Sequence, residues 1–259
     1  MPETKYTADE MMTIAAARML RNGKSCFVGI GLPSAAANLA RLTHAPDTVL
    51  IYESGCIGTK PHVLPLSIGD GELSETAETV VSIVEIFAYW LEGGRIDVGF
   101  LGAAQIDKFA NINSTVIGDY DKPKTRLPGA GGAPAIAANC GEVLITLRQN
   151  KRAFVEKLDF RTSGGHLEGG DSRARMRFPG KGPTAVITDL GILTPDPETK
   201  ELTLTSLHPG VTVESVVAAT EWKLKVAPEL KTTPAPTELE LSVLRDLQER
   251  TAKAHAGQA

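Results

Sequence analysis

Apolar side chains in the N-terminal part of the chain change from helical to extended spacing and back. They recur every three to four positions over residues 8–22, after a T-x-x-E capping box, which predicts an amphipathic helix. An apolar run at 25–28 predicts a buried strand, a small-residue helix at 34–42 follows, and residues 48–52 predict a second strand. This β–turn–α–β order is typical of an α/β sheet.

The C-terminal part continues the pattern and then changes character. Apolar runs bounded by glycine or charge predict strands at 96–101, 143–147 and 184–188, and a hairpin from 191–193 and 201–204. Loosely spaced prolines over 227–236 predict an extended linker, and residues 239–250 predict a short final helix. We therefore expect one α/β domain over residues 1–226, with an open, mostly parallel sheet flanked by helices, and a C-terminal arm over 227–259.

Composition and charge narrow the class of protein. The chain has 259 residues, and 27 Lys and Arg against 31 Asp and Glu leave a net charge of −4 without a block of one sign, which argues against nucleic-acid and membrane binding. No apolar run reaches the roughly 18 residues of a membrane span, and the polar N-terminus is unlike a signal peptide. The cysteines, Cys26, Cys56 and Cys140, are odd in number and lack zinc-binding spacing, which argues against a disulfide framework and a structural metal site. We expect a cytoplasmic protein without a metal site.

Glu53 is the most informative position for chemistry. It directly follows the predicted strand at 48–52 and opens a glycine-flanked turn, Ser54-Gly55-Cys56. Ligands of open α/β sheets bind beyond the carboxyl ends of the strands. A carboxylate there can act as a covalent nucleophile or a general base. The position alone fits a surface ion pair equally well.

Two glycine-rich turns offer backbone N–H groups. Gly29 and Gly31 lie between a predicted strand and a helix, where N–H groups can receive an anion, although a plain tight turn fits the same pattern. The dense cluster at 129–133, between two prolines, favours a nest of N–H groups for an oxyanion over an irregular loop. Gly131 and Gly132 lie at its centre.

The remaining reactive side chains favour structural roles. Cys56 shares the turn with Glu53 and would form a thiolate only beside a cation such as Lys60 or His62, so a buried apolar role is expected. The histidines lack metal-binding spacing, and the sequence has no G-x-S-x-G nucleophile elbow. The alternating arginines at 173–177 are expected to form a solvated strand face.

Eight short segments, taken in order, resemble the β subunit of class I CoA-transferases, most closely the glutaconate CoA-transferase branch. Each segment alone is weakly specific, but their common order makes the match specific. The resemblance runs from the first helix to about residue 226 and implies the NagB/RpiA-like α/β fold of that family. Its segments are 29–33 (GIGLP), 52–55 (YESG), 102–107 (GAAQID), 111–115 (NINST), 118–120 (GDY), 123–126 (PKTR), 129–133 (GAGGA) and 188–193 (TDLGIL).

The resemblance also implies a reaction. In that family the glutamate of the E-S-G motif, here Glu53, attacks an acyl-CoA thioester. An acyl-glutamyl anhydride and then a glutamyl-CoA thioester follow, and CoA passes to a second carboxylic acid. A homologous α subunit is expected to complete the active site, with acyl-CoA as a substrate and no metal. The oxyanion and substrate-binding residues that the resemblance implies are Gly29, Gly31, Gly131, Gly132, Gln105 and Asn113.

Two alternatives remain open. Cys56 stands where the glutaconate enzymes carry an aliphatic residue, and relatives on this scaffold hydrolyse or decarboxylate acyl-CoA. The same fold could therefore act as a decarboxylase or hydrolase of a glutaconyl-type acyl-CoA, with Cys56 in the active site. A non-catalytic subunit that binds CoA esters is a more distant alternative, because a binding module has no need of a carboxylate at position 53.

Overall fold

The computed structural model describes residues 5–256. Residues 1–4 and 257–259, at the ends of the predicted domain and arm, lie outside the described part. The helices are α1 (Ala8–Ala17), α2 (Leu32–Leu42), α3 (Gly71–Glu75), α4 (Ile83–Glu85), a π-helix (Ile86–Leu91), α5 (Ala133–Asn139), α6 (Ser172–Arg175), α7 (Val213–Ala218) and α8 (Glu238–His255). The strands are β1 (Ser25–Phe27), β2 (Val49–Ile51), β3 (Cys56–Ile57), β4 (Thr79–Val80), β5 (Val98–Leu101), β6 (Gln105–Ile106), β7 (Ile112–Asn113), β8 (Val116–Gly118), β9 (Pro123–Arg126), β10 (Glu142–Thr146), β11 (Pro183–Ile187), β12 (Gly191–Pro195), β13 (Leu202–Leu207) and β14 (Lys225–Thr232).

The chain forms two compact units. The first unit runs to Phe100 and resumes at Ala235, and the second unit is Leu101–Pro234. The segment predicted to be an arm is therefore divided between the two units, because β14 belongs to the second unit and α8 to the first.

In the first unit, parallel strands form the centre of the sheet. β1 lies between β2 and β5 and pairs in parallel with both, while β3 pairs antiparallel with β2 and with β4. Apolar side chains on both sides of the central strands, such as Phe27 and Leu50, are at most 1% exposed. A fully buried parallel strand reads as a continuous apolar run, which is why the sequence predicted these strands correctly.

Helix α1 begins as predicted and ends earlier. Its N-terminus is a capping box in which Glu10 N donates to Thr7 Oγ1 (3.1 Å) and Thr7 N donates to Glu10 Oε2 (2.7 Å). The predicted helix extended to residue 22, but regular helix stops at Ala17. Met19 and Leu20 then donate to carbonyls three residues back, so the last turn tightens before Gly23, whose φ is +72°.

Helix α8 is longer than the sequence pattern predicted, and it packs within the first unit against α1 and α2. Thr237 and Glu240 form a second capping box at its start. Its apolar stripe of Leu241, Leu244 and Leu247 is at most 2% exposed. No helix within residues 5–256 is long and apolar enough to cross a membrane.

The larger strands of the second unit run in mixed directions. β10 and β11 are parallel, β12 is antiparallel to β11 and β13, and β14 adds in parallel beside β13. The predicted strands and hairpin are present, whereas the predicted linker over 227–236 is largely strand β14. Two small hairpins, β6–β7 and β8–β9, complete the unit. The predicted α/β class, with parallel strands flanked by helices, is confirmed.

Candidate active site

Glu53 lies at the tip of a tight turn in the first unit. The turn joins β2 to β3: Tyr52 N donates to Cys56 O (2.9 Å), and Gly55 N donates to Tyr52 O (3.0 Å). Glu53 and Ser54 are therefore the two central residues of a β-turn. The Glu53 side chain is half-buried. The turn thus presents a carboxylate just beyond the carboxyl end of a buried strand, as the sequence predicted.

Gly55 locks this turn against the segment before α4. Its φ of +102° is strained for any other residue, and a Cβ there would lie 1.9 Å from the carbonyl oxygen of Val81. Val81 N in turn donates to Gly55 O (3.0 Å). The glycine of the E-S-G motif is required by this close backbone approach.

The turn that carries Gly29 and Gly31 leaves the same edge of the first unit's sheet as the Glu53 turn. Phe27 and Ile51 are paired in the parallel β1–β2 ladder, and Gly29 and Glu53 each stand two residues beyond them. Gly31 has a φ of +83° and caps α2, a helix of 11 residues, without a side-chain hydrogen bond. The first-turn N–H groups of such a helix carry partial positive charge and attract anions.

Gln105 and Asn113 lie together in the second unit. They are partners in the β6–β7 hairpin, and Asn113 Nδ2 donates to Gln105 Oε1 (2.8 Å) with both side chains buried. Gln105 Nε2 donates onward to Asp159 Oδ2 (3.0 Å). Asn113 Oδ1 accepts from Thr115 N (2.9 Å). These amides brace the loops that follow β5 and β7.

Gly131 and Gly132 form the start of α5, also in the second unit. Gly131 is exposed with a φ of +50°, and Gly132 is buried at the N-cap. The loop is tied to the segment after Asn113, because Gly129 N donates to Ser114 O (2.8 Å) and Ser114 Oγ donates to Gly129 O (2.8 Å). The predicted site residues therefore fall into two sets, one in each unit.

With this geometry in place, comparison with known proteins identifies the family. The sequence profile of the family described as Coenzyme A transferase matches residues 9–219. The chain belongs to the coenzyme A transferase family.

Individual relatives of this CoA-transferase family member differ in similarity. It is 66% identical to one subunit of the 3-oxoadipate CoA-transferase of Pseudomonas knackmussii, over 98% of this chain and 97% of the relative. It is 38% identical to one subunit of the glutaconate CoA-transferase of Acidaminococcus fermentans, over 86% of each chain. The crystal structure of glutaconate CoA-transferase from A. fermentans superposes with a TM-score of 0.88, at 35% identity over 93% of this chain and 94% of that one. The decarboxylase AibA/AibB shares the fold, with a TM-score of 0.80 at 24% identity over 94% and 95% of the two chains.

The predicted family and fold are confirmed by these matches. The sequence segments pointed to the glutaconate branch, and the glutaconate relatives do match. The 3-oxoadipate relative, however, shares more of its sequence with this chain. Identity over nearly the full length, rather than short motifs, separates the two relatives.

The sequence did not predict a network of buried polar side chains that begins at Tyr52, the residue before Glu53. Tyr52 is fully buried, and its Oη lies 2.8 Å from Ser34 Oγ. Burial raises the pKa of Tyr52 to about 12, so the phenol stays neutral. Asn38 Nδ2 donates to Ser34 O, and Arg41 Nη2 donates to Asn38 Oδ1 and to Pro61 O. The sequence contained a sign of this network, because Ser34, Asn38 and Arg41 stand at i, i+4 and i+7 and so share one face of an alanine-rich helix.

Cys56 occupies the turn as a packed side chain. It is 3% exposed, and Ser54 Oγ donates to its Sγ at 3.5 Å. Lys60 forms a salt bridge with Glu78 (2.9 Å), and Glu72 and Arg250 bind the His62 backbone. The expected buried role of Cys56 agrees with this geometry.

Arg173 corrects the expectation of a solvated strand face at 173–177. It lies on helix α6, is 7% exposed, and donates to the carbonyls of Gly165 (2.7 Å), Ala137 (3.0 Å) and Gly180 (2.9 Å). Burial lowers its pKa to about 10, so it remains charged at neutral pH. Its hydrogen bond to Ala137 O fixes the C-terminal turn of α5, the helix whose N-cap is Gly132.

No group of three or more His, Cys, Asp or Glu side chains within residues 5–256 is placed to hold a metal ion. The buried histidines have structural contacts instead: His166 Nε2 lies 2.8 Å from Pro183 O, and His208 Nε2 lies 2.8 Å from Thr188 O.

Proposed function

We propose that this chain is the β subunit of a heteromeric CoA-transferase that moves CoA between short dicarboxylic acids, with Glu53 as the covalent nucleophile. The observation that carries the proposal is the placement of Glu53, half-buried at the tip of a β-turn that Gly55 and Tyr52 hold rigidly. A carboxylate is a weak nucleophile in water, and a partly desolvated, fixed carboxylate is a stronger one.

The proposed reaction has two matched halves. A Glu53 carboxylate oxygen attacks the thioester carbonyl, and the C–S bond breaks to give an acyl-glutamyl anhydride and CoA thiolate. The thiolate then attacks the glutamyl carbonyl and releases the first acid as its carboxylate, which leaves a glutamyl-CoA thioester. A second carboxylate repeats these steps in reverse and departs as the new acyl-CoA, with Glu53 restored.

Backbone N–H groups are the proposed stabilisers of the developing oxyanions. In the first unit the N–H groups around Gly29 and Gly31, at the positive end of α2, are suited to this role. Each such donor is typically worth about 3–4 kcal/mol in the transition state. In the second unit we assign Gly131 and Gly132 to the same role, and Gln105 with Asn113 to positioning the substrate-binding loops.

We propose 3-oxoadipate, or a closely related dicarboxylic acid, as the acid substrate. The support is the 66% identity with a 3-oxoadipate CoA-transferase subunit over nearly the whole of both chains, against 38% for the glutaconate relative. Because each of these relatives is named as one subunit of its enzyme, we further propose that a homologous α subunit assembles with this chain and completes the site. We keep the cytoplasm, expected from the sequence, as the proposed compartment of the complex.

Mass spectrometry of the assembled complex tests the covalent step. Incubation with a dicarboxyl-CoA ester should leave CoA attached to this chain at Glu53, and borohydride should remove it by reducing the thioester. Glu53→Gln should abolish both the adduct and transfer, whereas Glu75→Gln, an exposed glutamate of the same unit, should retain both. Transfer at the normal rate by Glu53→Gln would rule out this mechanism.

A panel of acids in the same assay tests the substrate. We expect the kcat/KM for 3-oxoadipate to exceed that for glutaconate by about tenfold or more, since one discriminating contact is worth on the order of 1–3 kcal/mol. Equal values, or a preference for glutaconate, would remove the 3-oxoadipate assignment and leave the transferase chemistry standing.

The decarboxylase or hydrolase alternative makes a different prediction for Cys56. It requires Cys56 to help position the substrate carboxylate or a water, whereas Cys56 is 3% exposed. We therefore expect Cys56→Ser to retain transfer, with no carbon dioxide released. Loss of turnover in Cys56→Ser, together with carbon dioxide release by the wild type, would favour the alternative.

A further inference from the structure

A groove of about 700 Å³ lies within the second unit, on the side where β10 ends. Buried Gln105 and Val155 form part of its floor. Lys151 and Arg152 enter from the segment that follows β10, and Lys124 enters from β9. We call it the basic groove. Ligands of α/β sheets bind beyond the carboxyl ends of parallel strands, and β10 is such a strand.

The charges that line the basic groove are unbalanced. It contains Lys124, Lys151, Arg152 and Lys157, and its two carboxylates are Asp159 and Glu221. Both carboxylates already accept hydrogen bonds, Asp159 from Gln105 Nε2 (3.0 Å) and Gly118 N (3.1 Å), and Glu221 from Glu156 N (3.3 Å).

The four cations of the groove have no ion-pair partner within the described part of the chain. Among residues 5–256, no salt bridge of 4.0 Å or less involves any of them, although lysines elsewhere in the unit, such as Lys108 and Lys225, pair with Glu201. The four cations exceed the two carboxylates by two charges, and this excess focuses a positive potential into the concavity. Such a concavity favours a ligand with several negative charges.

The backbone that presents Lys151 and Arg152 is held firmly. Arg152 N donates to Asn150 Oδ1 (3.0 Å), and Phe154 N donates to Asn150 O (2.8 Å). Ile106 N donates to Ala153 O (2.7 Å), and Val155 N donates to Ile106 O (3.0 Å), so the segment is bonded to β6 on the groove floor. A positioned guanidinium can bind a phosphate through two parallel hydrogen bonds.

We propose that the basic groove binds the 3′-phosphate and pyrophosphate of the CoA moiety. This inference rests on the proposed function, because acyl-CoA is the only substrate of that reaction that bears phosphates. The acid substrate bears none and does not depend on the groove. The groove therefore supplies binding energy remote from the reacting thioester, which a transferase can use to drive the anhydride step.

Reversal of the two charges on the β10 side tests the groove in the assembled complex. We expect Lys151→Glu with Arg152→Glu to raise the KM for acyl-CoA by about tenfold for each cation, with the KM for the acid unchanged. An acyl-pantetheine donor, which lacks the phosphates, should react equally with wild type and variant. Lys181→Glu, an exposed lysine of the same unit outside the groove, should behave as wild type.

Calorimetric titration with adenosine 3′,5′-bisphosphate separates this proposal from the transferase proposal, because it needs no turnover. If the double variant binds the bisphosphate more weakly by the same factor as the rise in KM for acyl-CoA, the result supports phosphate binding in the groove. This holds even if no acid accepts CoA. Normal transfer by the double variant, with unchanged KM and unchanged bisphosphate binding, would overturn the proposed role of the groove. The transferase proposal would still stand. Binding of inorganic phosphate as tight as that of the bisphosphate would also overturn the assignment to CoA.

Discussion

The Glu53 turn, which carries the proposed nucleophile, and the Gly129–Gly132 loop, which carries proposed oxyanion donors, are held in place by different physical means. Both contain glycines at positive φ, Gly55 in the turn and Gly129 with Gly131 in the loop. The Glu53 turn is held by neutral groups at very short range, namely the Gly55 backbone against Val81 and the Tyr52 phenol against Ser34. The loop has open space around the Cβ position of Gly129, and the helix that follows it is held by hydrogen bonds from a buried cation, Arg173.

This contrast teaches where each region is vulnerable. Close packing around the Glu53 turn makes it sensitive to added volume, because interiors tolerate an extra methyl group poorly. The helix after the loop depends instead on one charge whose hydrogen bonds go to carbonyl groups. Removing that charge leaves several buried acceptors unsatisfied at once.

The largest effect is expected from Arg173→Met. The change removes hydrogen bonds to the carbonyls of Gly165, Ala137 and Gly180, and we expect a loss of about 3–5 kcal/mol in the free energy of unfolding. Urea denaturation measures it. Arg175→Met is the matched control, because Arg175 is exposed and pairs with groups at the start of its own helix, so its loss should stay below about 0.5 kcal/mol. Equal losses for the two variants would contradict the role of Arg173.

Gly55→Ala should have the next largest effect. A Cβ placed 1.9 Å from Val81 O forces backbone movement, and the φ of +102° adds strain. We expect a loss of about 3 kcal/mol, with transfer activity reduced further because Glu53 moves with the turn. Gly31→Ala separates the two causes, since it has a φ of +83° but open space around its Cβ. Its loss should be about 1 kcal/mol.

If Gly31→Ala destabilises the chain as much as Gly55→Ala, backbone conformation alone accounts for both. The close contact with Val81 would then contribute little, and the contrast between a packed turn and an open one would fail.

The sequence predicted those features that depend on neighbouring residues. The capping box at Thr7 and Glu10, the strand before Glu53 and the glycine turns all follow from spacing over a few positions, and all are present. The features it missed join distant residues. Arg173 meets Ala137 across 36 positions, and Arg18 meets Glu240 across 222. Periodicity shows which side of an element is buried, but it does not show which element covers it.

Tyr52→Phe tests the neutral brace under Glu53. It removes the hydroxyl that lies 2.8 Å from Ser34 Oγ and leaves a buried polar group without this partner, which should cost about 1–2 kcal/mol. Tyr120→Phe is the control, because Tyr120 is 53% exposed. A mutant that keeps full stability but loses activity would show that the phenol acts on the turn's position rather than on folding.

The smallest effect concerns charge at the edge of the first unit, where Arg18 binds Glu240 on α8 (2.7 and 2.6 Å). Burial alone raises the pKa of Glu240, but hydrogen bonds from Arg18 and Thr237 outweigh it and bring the pKa to about 2, below the ordinary 4.5. The resulting stabilisation is complete above pH 4.5 and is lost as the pH falls through 2.

Glu240→Gln should therefore cost about 1–2 kcal/mol at neutral pH, and its difference from wild type should vanish toward pH 2. Denaturation curves across this range measure the difference directly. Glu249→Gln, in an exposed pair with Lys253, should differ from wild type by less than about 0.5 kcal/mol at every pH. A pH-independent loss in Glu240→Gln would mean that the side chain contributes by packing. In that case this ion pair would add nothing to the stability of the first unit, whereas Arg173 would still stabilise the second unit through its charge.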